Sequence, residues 1–296
     1  MKRTTLVTIG LPVYNSERHL KQSLDSLLNQ SFSDYRLIIS DNASTDRTAE
    51  ICQDYAKRDK RIDYFRNSAN IGLSPNFNRV FELSDSPYFK WATADDYWAP
   101  SMLEKALDIM ESDADIALCY PKTTLVDAEG GNPQPYEDNL HLISDSPRER
   151  FIQLLEQIHL SHQHLGVSRA SMVRRTHMLG EHVGSDINLL AELTLYGKFY
   201  EIPERLFFRR FHELSSSWAR TDPKHQAKRY HSSRSARIVL NDWRQYIEFF
   251  KAVHAGPLGF RDKLSLYRYL ARRMRWDRRF LISELQTKAD NYWRRD

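Results

Sequence analysis

Short apolar runs alternate with stretches in which apolar residues return every three or four positions, and this alternation persists over the first 120 residues. Leu6 to Leu11 is a β-rich run closed by Pro12, and Leu20, Leu24, Leu27 and Leu28 mark a helix within Glu17 to Gln30. Tyr35 to Ser40, Arg61 to Arg66, Tyr88 to Ala92 and Asp115 to Tyr120 read as four further strands. Thr48 to Ala56, Asn76 to Leu83 and Pro100 to Glu111 read as the helices between them. Strands separated by helices of about 10 to 15 residues predict βαβ units, right-handed crossovers and a largely parallel sheet. The expected class is α/β, a doubly wound sheet flanked by helices.

Past Tyr120 the alternation breaks. Asp127 to Pro135 is rich in Gly, Pro, Asn and Asp and suits a loop or hairpin. Pro147 to His159 is helical in pattern, and His162 to Arg169 leads into a further helix-like stretch. Asp186 heads another helix, marked by Leu189, Leu190, Leu193 and Leu195. Lys198 to Ile202 and Arg205 to Phe211 read as two short strands broken at Pro203. The chain beyond Trp218 is basic and helical in pattern. The expected organisation is a domain over 1–218 and a helical extension over 219–296.

Charge sharpens that division. The 296 residues carry a net charge of +4, but from Lys224 onward 18 Lys and Arg stand against 7 Asp and Glu. The tail is therefore at +11 and the remainder at −7, a basic appendage on a mildly acidic domain. No run reaches the roughly 18 to 20 apolar residues that span a bilayer. Met1-Lys2-Arg3 passes straight into a strand pattern without a signal-peptide apolar region, so the expected compartment is the cytoplasm. Cys52 and Cys119 have no metal-ligand spacing and read as buried thiols.

Candidate chemistry gathers at Tyr88 to Pro100, where an aromatic strand runs into Asp95-Asp96. Carboxylates at the carboxyl end of a central strand stand where open α/β sheets bind ligands, and adjacent acids invite a cation. An Asp capping the next helix satisfies the same pattern. Neither a Gly-x-Gly-x-x-Gly fingerprint nor a P-loop is present, which removes the usual dinucleotide and ATP-hydrolysis sites.

Taken together, several motifs resemble the family 2 nucleotide-sugar glycosyltransferases of the GT-A fold. Thr8 to Asn15 is similar to that family's opening strand and loop, and Asp41 to Asp46 to its second loop. Asn70-Ile71-Gly72 resembles its Asn-x-Gly turn, and Thr93-Ala94-Asp95-Asp96 its Asp-x-Asp metal motif, with Thr93 in place of the leading Asp. Asp186, ahead of Leu-x-x-Glu-Leu, resembles its acidic base, and Arg209 to His212 with Ser215 to Ser217 the segment that closes over the donor. The resemblance spans residues 4 to 218 and implies a Rossmann-like GT-A sheet with an inverting transferase site. It implies donor-nucleotide contacts from Pro12, Tyr14, Asn15, Asp41, Asn70 and Asp96, and Mn2+ or Mg2+ held by Asp95 and His212. It also implies Asp186 as the catalytic base. Turn or helix-cap roles remain open for Asp41 and Asp186, and a solvated loop position for His212.

The expected substrates are a UDP- or dTDP-sugar and a saccharide or lipid-linked acceptor. His162 and His164, on one face of an extended segment, suit acceptor lining or structure. A sugar-phosphate nucleotidyltransferase would need a glycine-rich basic loop near the N-terminus, where only Gly10 stands. A nucleic-acid-binding protein would use the basic tail and leave the acidic sites unexplained. Within the tail, Leu258, Phe260, Leu264, Leu266, Tyr267, Leu270, Met274 and Trp276 interleave with arginines, a pattern suited either to an anionic membrane surface or to packing on the domain.

Overall fold

The computed structural model describes residues 5–211 and 240–293. Its first half follows the hydrophobic pattern. Strand β1 (Val7–Val13) pairs in parallel with β2 (Tyr35–Asp41) and with β4 (Tyr88–Trp91), and β2 pairs in parallel with β3 (Ile62–Arg66). Helices α1 (Leu20–Leu28), α2 (Thr48–Arg58) and α3 (Leu73–Glu82) make the crossovers. Every residue of β1 is buried, Pro12 included, so the strand continues two residues past the point where Pro12 was expected to close it. Pro12 pairs with Ser40 at that position.

Gly10 is required where it stands. A Cβ there would lie 2.5 Å from Phe89 Cζ and 2.6 Å from Val80 Cγ2, so α3 and β4 approach β1 only over a bare Cα. Gly72, at φ +97°, supplies the left-handed turn into α3.

The second half departs from simple winding. The sheet has nine strands, in the order β3-β2-β1-β4-β8-β6-β9-β5 with β7 on β6. Strand β6 (Ile116–Val126) follows α4 (Met102–Ser112) but does not pair with β4. The three-residue β8 (Val167–Arg169) sits between them, antiparallel to both. Strand β9 (Lys198–Arg210) runs parallel to β6 over nearly its whole length, and β5 (Tyr97–Trp98) closes the edge antiparallel to β9. The hairpin expected near Asp127 is formed by β6 and β7 (Gln134–Tyr136).

Strand β9 corrects the expected break at Pro203. The register steps from Ile202 opposite Pro121 to Arg205 opposite Lys122, leaving Pro203 and Glu204 in a bulge. A bulged residue needs no ladder hydrogen bond, so the missing proline N–H costs nothing there. His162 and His164 are also not on an extended segment: they lie in a single 3-10 turn, His162–Leu165.

Helix α5 (Pro147–Gln157) begins at Ser146, whose hydroxyl accepts from the Glu149 N–H, with proline at the first helical position. After α6 (Ala170–Val173) and α7 (Ser185–Thr194), the described tail comprises α8 (Asn241–Ala255), α9 (Phe260–Trp276) and α10 (Arg278–Trp293). Its inner side is part of the main core rather than a second one. Tyr246, Phe249, Val253, Leu266 and Leu270 are buried in the same cluster as Phe151 and Leu190. Cys52 and Cys119 are buried free thiols.

Candidate active site

The parallel strands β1, β2 and β4 end on one rim, and their carboxyl ends deliver Tyr14-Asn15, Asp41-Asn42 and Thr93 to Asp96 to it. The loops on that rim are laced together. Asn15, at φ +46°, accepts from Thr45 N–H (2.8 Å) through its side-chain oxygen, while its own N–H donates to Ser44 Oγ (3.0 Å). Tyr14 projects outward, 47% exposed, as an aromatic face available to a planar ligand.

Asp41 is completely buried. One carboxylate oxygen accepts from Ser44 N–H (2.9 Å). The other accepts from Tyr64 Oη (2.7 Å) and Arg66 Nη1 (2.6 Å). Burial, with the Asp41 hydrogen bond, pushes the Tyr64 phenol up to about 12, so it stays a donor. Asp41 thus reaches outward through Tyr64 and Arg66, two residues the sequence reading did not single out.

Beside it lies an amide network, buried at Asn42, Asn67 and Asn76 and exposed at Asn70. Asn42 Nδ2 donates to Asn70 Oδ1 (2.8 Å) and Gly72 O (3.1 Å), and Asn42 Oδ1 accepts from Asn67 Nδ2 and Ile71 N–H. Asn76 closes the set, accepting from Ser40 Oγ (2.7 Å) and Asn67 Nδ2 (3.0 Å). Asn70 therefore shapes the turn rather than standing alone. The density of asparagine from Asn42 to Asn78 was the one sequence signal for this network.

The two adjacent aspartates are differently placed. Asp96 is buried, accepting from Thr93 Oγ1 (2.6 Å) and from Arg210 N–H (2.8 Å). Burial pushes its carboxyl up to about 7; the charge of Asp95 adds to the rise and Arg209 opposes it. Asp95 is half-buried, and its carbonyl accepts from Arg210 Nε (2.9 Å). Arg210, only 2% exposed, also donates to Ala128 O (2.8 Å) and to Gln22, tying the acidic turn to α1 and the β6–β7 hairpin. Helix α4 begins after Ser101, so neither aspartate caps it.

Lys90, fully buried on β4, donates to Leu165 O and lies 3.9 Å from the Trp98 ring centre. Burial pushes its pKa well below the usual lysine range, with Asp96 acting against the drop.

Asp186 occupies the second position of α7, after Gly184 in the cap position, so it is not the cap residue either. Its carboxylate accepts from Ser161 Oγ and from Ile187 N–H (2.9 Å). The 3-10 turn joins this side of the site to the acidic rim. His164 Nδ1 lies 2.6 Å from Ser161 O, and its imidazole is pushed down by burial while the Asp186 charge opposes. His162 Nδ1 accepts from Arg209 Nη1 (2.7 Å), and its Nε2 faces Asp138 and Thr123 (both 2.8 Å), which places the ring proton on Nε2. Arg209 acts electrostatically on Asp96 and on His164, so both sides share one field. The two arginines divide the work, Arg210 inward as a strut and Arg209 toward the histidines.

His212 lies outside the described residues, as do Ser215 to Trp218. Among the described residues no group of three His, Cys, Asp or Glu side chains could cage a metal. The donor set suits a different cation site. Mg2+ and Mn2+ are commonly held by one or two carboxylates, with substrate phosphates and water completing the shell. Asp95 is a carboxylate of this kind at the strand end, and both Asp96 oxygens accept protein N–H or O–H groups.

The model of glycosyl transferase family 2 matches residues 8–175 of the chain. The uncharacterised glycosyltransferase MJ1057 of Methanocaldococcus jannaschii is 32% identical over 127 residues, which is 42% of this chain and 44% of that protein. The alignment thus spans less than half of that relative's length. S. aureus TarS 1-349, solved with UDP, superposes with a TM-score of 0.64 at 13% identity, covering 87% of this chain and 68% of that one. The mannosyltransferase PcManGT of Pyrobaculum calidifontis, solved with GDP-Man and Mn2+, gives 0.53 at 14% identity, covering 100% and 89%. The fold is therefore the GT-A type, mixed α/β with its long pairings parallel.

Proposed function

Because the chain belongs to glycosyl transferase family 2, we propose that it transfers a sugar from a UDP- or dTDP-sugar to a hydroxyl of a saccharide or lipid-linked acceptor, with inversion, in surface glycan or polysaccharide synthesis. The observation that carries this reading is the convergence of Tyr14, the Asp41–Arg66 pair and Asp95 on one rim, with Asp186 across the 3-10 turn. A fold neighbour solved with UDP supports the donor class. A second, solved with Mn2+, supports a divalent cation.

In this reading Tyr14 stacks on the base, and Asp41 contacts it directly or through Tyr64 and Arg66. Pro12 and Asn15 shape the loop under the base, and Asn70 the turn beside it. Asp95 and His212 would hold Mn2+ or Mg2+, which when bound would supply positive charge for the departing diphosphate. Asp96 fixes the orientation of Asp95 through the Thr93 and Arg210 contacts, and Arg209 supplies positive charge on the histidine side. Asp186 takes the proton of the acceptor hydroxyl as it attacks the anomeric carbon in a single displacement. We assign catalysis to residues 1–218, place the protein in the cytoplasm, and assign the 219–296 extension a peripheral contact with the inner membrane face. Among the described residues no helix is long and apolar enough to cross a membrane.

The test is a screen of sugar nucleotides for Mn2+-dependent binding by saturation-transfer NMR, followed by the anomeric configuration of the product. A UDP- or dTDP-sugar that binds only with metal and yields an inverted product is expected. Metal-independent binding, or a retained configuration, overturns the assignment.

A further inference from the structure

The apolar stripe of the tail is divided by the structure. Leu266, Tyr269 and Leu270 of α9 are buried, with Tyr267 and Met274 packed against the same core. This half is occupied by the protein itself. On the other side of α9, Phe260, Leu264, Arg268, Arg272 and Trp276 recur at intervals of four, with Arg261 and Arg275 between them. Phe260 is 80% exposed and Trp276 68%, and Phe280, just into α10, is 70% exposed.

A single exposed apolar residue needs no explanation. Three large exposed aromatics, Phe260 at the start of α9 and Trp276 and Phe280 a turn apart at its far end, with Leu264 and four exposed arginines between them, do. The Arg272 guanidinium lies 5.5 Å from the Trp276 ring centre, so aromatic and cation form one surface. The acids of this region point elsewhere. Asp262 approaches Arg148 at 3.9 Å, and Asp277 accepts from Tyr246 Oη. Among the described residues no carboxylate pairs with Arg261, Arg268, Arg272 or Arg275.

We propose that this face of α9, continued by Phe280, docks on an anionic lipid bilayer. The aromatics enter the boundary between headgroups and acyl chains, and the arginines contact lipid phosphates. The proposal deepens the membrane part of the proposed function and rests on that reading for its purpose. A nucleic acid would use the arginines and could stack on the aromatics. It has no use for the exposed aliphatic Leu264, or for Ile282 and Leu285 on α10. Docking also has a route to the chemistry. Helix α8, which packs on α9, also meets the helix that carries Asp186: in the first turn of α7, Asn188 Nδ2 donates to Gln245 O (3.0 Å).

The experiment is co-sedimentation of the full chain with phosphatidylcholine vesicles, and with vesicles containing about one third phosphatidylglycerol, at low and raised salt. Binding to the anionic vesicles alone, weakened by salt, is expected. Each arginine near such a surface is worth about fivefold, so the triple substitution Arg268→Gln, Arg272→Gln, Arg275→Gln should weaken binding about a hundredfold. Phe260→Ser, at a position open to solvent, should weaken it about tenfold with the melting temperature unchanged. Absence of vesicle binding, binding indifferent to lipid charge, or competition by duplex DNA at lower concentration overturns the proposal. Mn2+-dependent UDP binding by the same variants separates the two readings. Intact nucleotide binding with no vesicle binding defeats only the docking surface.

Discussion

At the residue scale, the site's acids are held for different work, and their surroundings say which substitutions are informative. Asp95 is half-buried and fixed through its backbone by Arg210, so Asp95→Asn leaves the strut untouched. Its expected outcome is loss of metal-dependent donor binding and of turnover with an unchanged melting temperature. Wild-type turnover with Mn2+ would remove Asp95 from the cation site. Asp186→Asn keeps the shape of the side chain and its contact with Ser161. The variant should bind donor normally and lose about a hundredfold or more in kcat, the scale of a lost general base. A variant deficient in donor binding, or unfolded, would instead mark Asp186 as structural.

At the scale of elements, the strands and helices of the first half were legible because each carries its own period. The exceptions are those whose reason is remote. Strand β5 is two residues long and exists because Tyr97 and Trp98 meet Phe208 and Phe207, more than a hundred positions later. Strand β8 is three residues placed between two longer strands, and no local period marks it. Pro203 reads as a breaker until its bulge is seen. Asp41, Asp95 and Asp186 could be named from the sequence. Lys90 could not, and Arg210 was named only as part of the segment closing over the donor, since a buried cation looks like a surface one until its partners are placed; Arg66, half-exposed, gave no sign of its pairing with the buried Asp41.

Helix α7 offers a test at the same scale. Glu192 is buried there and accepts from His177 through both N–H and Nδ1 (each 2.8 Å). Burial raises its pKa, with the His177 hydrogen bonds and charge working against the rise. A raised carboxyl favours the protonated fold. That contribution is fully present below the ordinary glutamate pKa and is lost as pH rises through the raised one. Thermal melts should therefore show a wild-type stability that declines over this window more steeply than that of Glu192→Gln. Identical slopes would mean that Glu192 does not titrate differently in the folded state.

At the scale of the whole molecule, charge and packing divide the chain differently. Charge separates an acidic body from a tail at +11. Packing joins them, because the Phe249 ring of α8 meets Phe151 of α5 edge-on with centres 6.2 Å apart, inside the common core. An appendage would unfold by itself, whereas an integral layer unfolds with the sheet. Truncating a buried phenylalanine costs about 3 to 5 kcal/mol where the cavity cannot collapse. If the tail is integral, Phe249→Ala lowers a single cooperative transition, seen alike by far-ultraviolet dichroism and by loss of nucleotide binding. If it is an appendage, the helical signal melts early while nucleotide binding keeps its wild-type midpoint. The buried contacts favour the first outcome, because α8 packs both on α5 and on α7, the helix that carries Asp186.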